Sequence, residues 1–390
     1  MKRKEVNSRR MPVYRDSGFE LFTADIAKEA FLRENDNERE PDLYIYSRYR
    51  NPTVVAAEEE IMKLEGSDWA VLTQTGMSAI DTALSIFQRG EIIRPWLFFS
   101  EIYGGTISFA ESILRKRRGL DIHSFTPLDG KYDLDYFEDA VSAIKPELVY
   151  IETISNPMLI VPDIAGVIRI AKKHSSRVIV DNTFATPYLL KPLDYGADIV
   201  IHSATKYLSG HGNITAGVLC GNDKNIMREA VEYRKYVGHM LSADDAYRLT
   251  TQLQTFELRF ARQCSSAMEL AAVLCKTQTI SKVWFPGLET HPTHKEAKRL
   301  FGNKGYGGMI TFDFAGNKPV KRRRRDSFIQ AVSEKIRLVP TLGDPVTILL
   351  PVESVWGAKY PEPGMIRLSA GFEDTVELLA VIKRALDKIR

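Results

Sequence analysis

Between residues 132 and 201 the chain switches repeatedly between a helical and a strand-like hydrophobic period, and this alternation narrows its fold more than any other feature. In 132–145 the apolar positions Tyr132, Phe137, Ala140, Val141 and Ile144 fall largely on one helical face. Leu148-Val149-Tyr150-Ile151 follows as a short buried strand. Pro162-Asp163 then opens a helix with Ile164, Val167, Ile168 and Ala171 on one side, proline being tolerated in a first turn. Arg177-Val178-Ile179-Val180-Asp181 is the next strand, and Asp198-Ile199-Val200-Ile201 the one after. Strand–helix–strand units at this spacing predict an α/β fold whose mostly parallel sheet carries helices on both faces. Such sheets bind ligands beyond the carboxyl ends of their strands.

On either side the pattern changes. Residues 1–45 are polar and weakly periodic, with the charged stretch Arg33-Glu34-Asn35-Asp36-Asn37-Glu38-Arg39-Glu40, and read as an arm lying on something else. After about residue 240 a helical stretch over 243–276 leads to Pro286-Gly287-Leu288. A strand, Met309-Ile310-Thr311-Phe312-Asp313-Phe314, is then entered through Gly307-Gly308, and a helix over 374–389 closes the chain. The organisation expected is therefore an arm at 1–45, a ligand-binding domain at 46–240 and a smaller α+β domain at 241–390. The run Lys321-Arg322-Arg323-Arg324-Arg325 reads as a solvated loop entering a helix at 328–332.

Charge excludes some functions. Lys+Arg and Asp+Glu nearly balance, for a net +3, too mild to imply a nucleic-acid or membrane partner. No apolar run approaches the roughly 20 residues of a membrane span. The basic start, MKRKEVNSRRMP, has no apolar segment behind it and is not read as a secretory signal. Cys220, Cys264 and Cys275 lack metal-ligand spacing and read as reduced, small buried side chains, which implies a cytoplasmic protein. His291-Pro292-Thr293-His294 has no acidic or thiol partner nearby and reads as structural, so no metal is expected.

The densest chemical signal is Ser203-Ala204-Thr205-Lys206, just past a strand and followed by Gly210-His211-Gly212. A lysine there, flanked by hydroxyls, suits Schiff-base chemistry once its pKa is lowered, although a surface lysine on a turn fits the local sequence too. Asp181-Asn182-Thr183 ends the preceding strand and brings a carboxylate to the same crevice. Pyridoxal phosphate needs this pair: an amine for its aldehyde and an acid for its ring nitrogen. Thr75-Gly76-Met77-Ser78 enters a helix whose inner side carries Ile80, Leu84 and Phe87. Free N–H groups at a glycine-containing helix start can cradle a phosphate.

These residues carry a resemblance. With Tyr46-Ser47-Arg48-Tyr49-Arg50-Asn51-Pro52-Thr53, Val180-Asp181-Asn182-Thr183-Phe184 and Ser203-Ala204-Thr205-Lys206-Tyr207 in this order, the chain from about Pro12 onward resembles the Cys/Met-metabolism (trans-sulfuration) family of pyridoxal-phosphate enzymes. That family includes cystathionine γ-synthase, cystathionine γ-lyase, methionine γ-lyase and the O-acylhomoserine sulfhydrylases. The resemblance implies the PLP-dependent transferase-like fold (fold type I), pyridoxal 5′-phosphate as cofactor, and γ-elimination or γ-replacement on sulfur-containing or homoserine-derived amino acids. It implies Lys206 as the Schiff-base lysine and proton shuttle, and Tyr103 stacked on the ring as a second acid or base. Asp181 would pair with the ring nitrogen, Asn156 would face the ring hydroxyl, and Thr183 would complete the cofactor site. Gly76, Met77, Ser203 and Thr205 would hold the phosphate, together with Tyr46 and Arg48 from a neighbouring subunit. The implied assembly is at least a homodimer, and a homotetramer is expected. Arg367, with Thr341 beside it, would bind the substrate α-carboxylate through the two-pronged geometry of a guanidinium.

Several positions depart from the family pattern. Ser108 stands where cystathionine enzymes tend to have arginine, and Pro340 where they tend to have glutamate. Gly105 replaces a cysteine usual in methionine γ-lyases, and Thr251-Gln252-Leu253-Gln254-Thr255 replaces Arg-Gly-Leu-Lys-Thr. The preferred substrate therefore stays open between the cystathionine enzymes, a methionine γ-lyase and an O-acylhomoserine sulfhydrylase. An aminotransferase on the same fold and a catalytically idle, cofactor-binding regulatory subunit are the readings from other classes.

Overall fold

A computed structural model describes residues 11–34, 43–88 and 94–389. Seven strands form the larger sheet: β1 (Trp69–Thr73), β2 (Trp96–Phe99), β3 (Ile122–Phe125), β4 (Leu148–Glu152), β5 (Arg177–Asp181), β6 (Ile199–His202) and β7 (Gly217–Gly221), in the order β1-β7-β6-β5-β4-β2-β3. All neighbours are parallel except β7, which runs antiparallel to both β1 and β6. The expected mostly parallel, helix-covered sheet is what forms. Its central strands β4 and β6 are buried along their whole length, as a sheet covered on both faces requires.

The second sheet has five strands: β8 (Ile280–Trp284), β9 (Met309–Phe314), β10 (Arg337–Leu338), β11 (Ile348–Pro351) and β12 (Met365–Ser369), in the order β10-β11-β12-β9-β8. It packs its own apolar cluster, including Phe312, Phe328, Leu368 and Ile382. The helix Phe256–Cys275 feeds both cores, with Phe256 and Phe260 in the first and Leu270 and Leu274 in the second.

Four local expectations change. The basic run is not a loop: it lies inside the helix Lys318–Val332. Lys321 pairs with Asp313 and Glu362, and Arg322 and Arg325 pair with Glu353, acids that only the tertiary fold brings near. The helical stretch 243–276 is two helices, Ala243–Leu253 and Phe256–Cys275, separated at Gln254-Thr255. Tyr132 and Pro162 precede their helices, which Asp133 and Asp163 cap by accepting from Tyr136 and Gly166 N–H. Cys220 and Cys264 are buried, but Cys275 is exposed at a helix end. Within the arm, Ala24–Arg33 is helical and Gly18 bridges Tyr46, while the basic start and most of the charged stretch lie outside the described residues.

Candidate active site

Strands β4, β5 and β6 end on one side of the larger sheet in Glu152, Asp181 and His202, and the loop after β6 carries Lys206. The helix Gly76–Ser85 points its N-terminus at the same place. Thr75 caps it by accepting from Ser78 N–H at 3.0 Å, which leaves the N–H groups of Gly76 and Met77 without an acceptor inside the helix. A Cβ on Gly76 would sit 2.9 Å from Ser203 Cβ, so a larger residue would close the space where these N–H groups face Ser203.

Of the residues singled out from the sequence, Gly76, Met77, Tyr103, Asn156, Asp181, Thr183, Ser203, Thr205, Lys206, Thr341 and Arg367 line a single cavity of about 200 Å³. Tyr46 and Arg48 do not line it. Arg48 donates to Lys235 O at 2.6 Å and lies over the rings of Tyr46 and Tyr49.

Asp181 is 7% exposed and well supplied with donors. Thr183 N–H and Oγ1 donate to its Oδ1 at 3.0 and 2.6 Å, and the Tyr150 hydroxyl donates to Oδ2 at 3.2 Å. Burial raises its pKa, and the Thr183 donors pull it back. A carboxylate offers about four lone-pair positions, so Oδ2 keeps room for one further donor from the cavity. Glu152, Asp181's partner across β4 and β5, accepts from Tyr103 N–H at 2.6 Å. Burial, then the charge of Asp181, pushes Glu152 well above the usual carboxylate range.

Lys206 Nζ donates to Thr341 Oγ1 at 2.8 Å. Burial, then the neighbouring Arg367 charge, lowers its pKa to about 8, with Asp344 opposing. Gly343, at φ +80°, presses its backbone on Lys206, where a Cβ would stand 2.8 Å from the lysine carbonyl carbon. Arg367 Nη1 donates to Asn156 Oδ1 and Nη2 to Thr341 O, each at 3.1 Å. Thr341 thus touches both cations. Of the residues expected to meet a phosphate, Thr205 is the least available, because its hydroxyl donates to Ala216 O at 3.2 Å and accepts from Ala216 N–H at 2.9 Å.

The donor set fits pyridoxal phosphate: open N–H groups at one end, a buried acid with a spare lone pair, and one lysine of depressed pKa. The sequence reading missed Tyr150 and Glu152. Their signal was present, since two residues apart on one strand they share the face of Asp181.

The family model described as Cys/Met metabolism PLP-dependent enzyme matches residues 1–387. The cystathionine beta-lyase of Lactococcus lactis subsp. cremoris is 37% identical over 361 residues, covering 90% of each chain. The L-methionine gamma-lyase of Porphyromonas gingivalis is 33% identical over 392 residues, covering 97% of this chain and 92% of that one. The crystal structure of cystathionine gamma synthase from Xanthomonas oryzae pv. oryzae in complex with cystathionine superimposes with a TM-score of 0.83 at 28% identity, over 97% of this chain and 92% of that one.

Proposed function

The chain belongs to the Cys/Met metabolism family of PLP-dependent enzymes, and we propose that it holds a sulfur-containing or homoserine-derived amino acid by its α-carboxylate on Arg367 while Lys206 moves the protons. The observation that carries this reading is the convergence of Lys206, Asp181 and Arg367 on one cavity. Pyridoxal phosphate, when bound, supplies a conjugated ring that draws electrons from the amino acid's α-carbon.

The chain's own groups divide the remaining work. Gly76 and Met77 N–H groups and the Ser203 hydroxyl would hold the phosphate, with Thr205 contributing only by giving up Ala216 O. Asp181 would accept from the ring nitrogen through Oδ2. Asn156 already holds Arg367 and would stand at the ring's substituted edge. Tyr103, its backbone fixed by Glu152, would lie against the ring. Lys206 would take the α-proton as a neutral amine, turn into an ammonium held by Thr341 Oγ1, and return the proton further along the chain. The Tyr103 hydroxyl is the candidate acid for the departing group. Thr341 would orient both Lys206 and Arg367.

The proposed organisation keeps the arm at 1–45, a cofactor-binding domain at 46–240 and a C-terminal domain at 241–390, supported by the two sheets with separate apolar clusters. A cytoplasmic location suits a chain whose three cysteines are all free. Among the described residues no helix is long and apolar enough to cross a membrane.

Which bond is cut is the finer question. Ser108 is exposed outside the cavity, and Pro340, which lines it, offers no charge. A second amino-acid head on the substrate would then lack partners worth about 1.5–3 kcal/mol each. We expect γ-elimination or γ-replacement with weak discrimination for cystathionine. Relatives named cystathionine beta-lyase favour a second reading, cleavage at the β-carbon. A panel of cystathionine, methionine, homocysteine and O-acylhomoserine with product identification separates the two, since γ-cleavage of cystathionine releases 2-oxobutyrate and β-cleavage pyruvate. A strong kcat/KM preference for cystathionine overturns the argument from Ser108 and Pro340, and transamination as the main reaction overturns the whole reading.

Assembly is tested by mixing. Tyr46 is 40% exposed and, with Arg48, stands apart from its own cavity, as residues serving a neighbour's phosphate would. A Tyr46→Phe/Arg48→Ala double variant and a Lys206→Ala variant, each inactive alone, should recover part of the activity in mixed dimers. Verified mixed dimers without activity would refute a shared site.

A further inference from the structure

The segment from Glu353 to Glu362, between β11 and β12, crosses from the smaller sheet to the larger one and is pinned at both ends and at its tip. Arg322 and Arg325 hold Glu353 at 3.1 and 3.0 Å, and Lys321 holds Glu362 at 2.5 Å. At the tip, Lys359 Nζ donates to Ser100 O at 2.8 Å and pairs with Glu101 at 3.1 Å, and the Tyr360 hydroxyl donates to Glu101. Ser100 and Glu101 immediately follow β2 and lead into Tyr103. Between these anchors the Arg367 guanidinium carbon lies over the face of the Trp356 ring, 5.4 Å from its centroid, and the ring meets Tyr360 edge-on.

We propose that Trp356 is a positioning residue that presents Arg367 to the substrate carboxylate, and that the basic run 321–325 serves to hold the strap carrying it. The inference rests on the reading of Arg367 as the carboxylate clamp. Arg367 spends one N–H on Asn156 and one on Thr341 O, both in the guanidinium plane. Those two bonds still allow the plane to rock about them. The Trp356 ring beneath the guanidinium restricts that freedom and, as a cation–π partner, strengthens the cation's position where water is scarce. The carboxylate then meets a preset fork rather than ordering one on arrival. The run of five bases becomes intelligible as well: three of them neutralise the two glutamates that begin and end the strap.

The test is equilibrium binding to the cofactor-loaded protein, read from the absorbance of the bound cofactor. The probes are L-norleucine, which has a carboxylate but no group to expel, and n-pentylamine, which is the same chain without the carboxylate. Trp356→Ala should weaken norleucine about tenfold and leave n-pentylamine unchanged, while Trp356→Phe should restore most of the loss. A Glu353→Gln/Tyr360→Phe variant, which loosens the strap and leaves Trp356 in place, should weaken norleucine alone by about threefold and covers the case in which Trp356→Ala does not fold. Equal weakening of both probes, or of neither, overturns the proposal. Arg367→Lys separates the two levels: if it weakens norleucine while Trp356→Ala and the strap variant do not, only the present inference falls. If Arg367→Lys changes nothing, the clamp itself is wrong.

Discussion

Lys206→Ala should lower turnover by about 10³–10⁴-fold, the upper range for removing a positioned acid–base group, and should leave the fold intact. Among the residues lining the cavity Lys206 is the one lysine, so no neighbour can take over. The lowered pKa sharpens the expectation. Burial, then the Arg367 charge, lowers it from the ordinary 10.5 to about 8, so much more of it is neutral at pH 7 than of an ordinary lysine. A base works in its neutral form, so a step limited by proton abstraction should speed up as pH rises through about 8 and level off above. Borohydride treatment of the cofactor-loaded protein, followed by peptide mapping, should place the label on Lys206. Label on another lysine, or a Lys206→Ala protein with undiminished turnover, would overturn the assignment.

Asp181→Asn should cost about 10²–10⁴-fold in turnover. The carboxylate is proposed to face a protonated ring nitrogen in a buried site, and breaking such a pair costs about 3–5 kcal/mol. Asparagine is the informative change because its amide oxygen can still accept from Thr183 while its amide N–H donates to the Tyr150 oxygen, so the buried hydroxyl keeps a partner. Asp181→Ala would strand the buried Tyr150 hydroxyl and mix a stability loss of about 1–3 kcal/mol into the result. The Asn variant should therefore melt near the parent temperature, retain less cofactor and turn over slowly. A Tm close to the parent with near-normal turnover would show that the ring nitrogen needs no anion here.

Much of the fold was readable because its causes are local. The strands β4, β5 and β6 are short apolar runs, and the helices before β4 and between β4 and β5 carry one apolar stripe each. Neighbouring residues create those signals, so periodicity reports them directly. The capped helix start proposed to cradle the phosphate was readable for the same reason: a capping threonine, a glycine and a helix lie within a few residues. The reading failed where partners come from afar. The run 321–325 looked like a solvated loop because five adjacent bases repel one another, yet the acids Asp313, Glu353 and Glu362 make it a helix that holds other segments.

From the sequence alone came the α/β class, the parallel strands at the centre of the larger sheet, and the placing of Asp181 and Lys206 at the carboxyl ends of neighbouring strands. The class and the strands follow from forces acting over one or two turns of chain, whereas the pairing of Lys206 with Asp181 came from strand order and from the family resemblance of the strings around them. Only the tertiary structure decided that Thr341 bridges Lys206 and Arg367, that Tyr150 and Thr183 share Asp181 between them, and that Trp356 lies on Arg367. Each depends on which side chains share a dry pocket, where low dielectric makes a hydrogen bond or a charge count for more, and that sharing has no trace in local period or propensity.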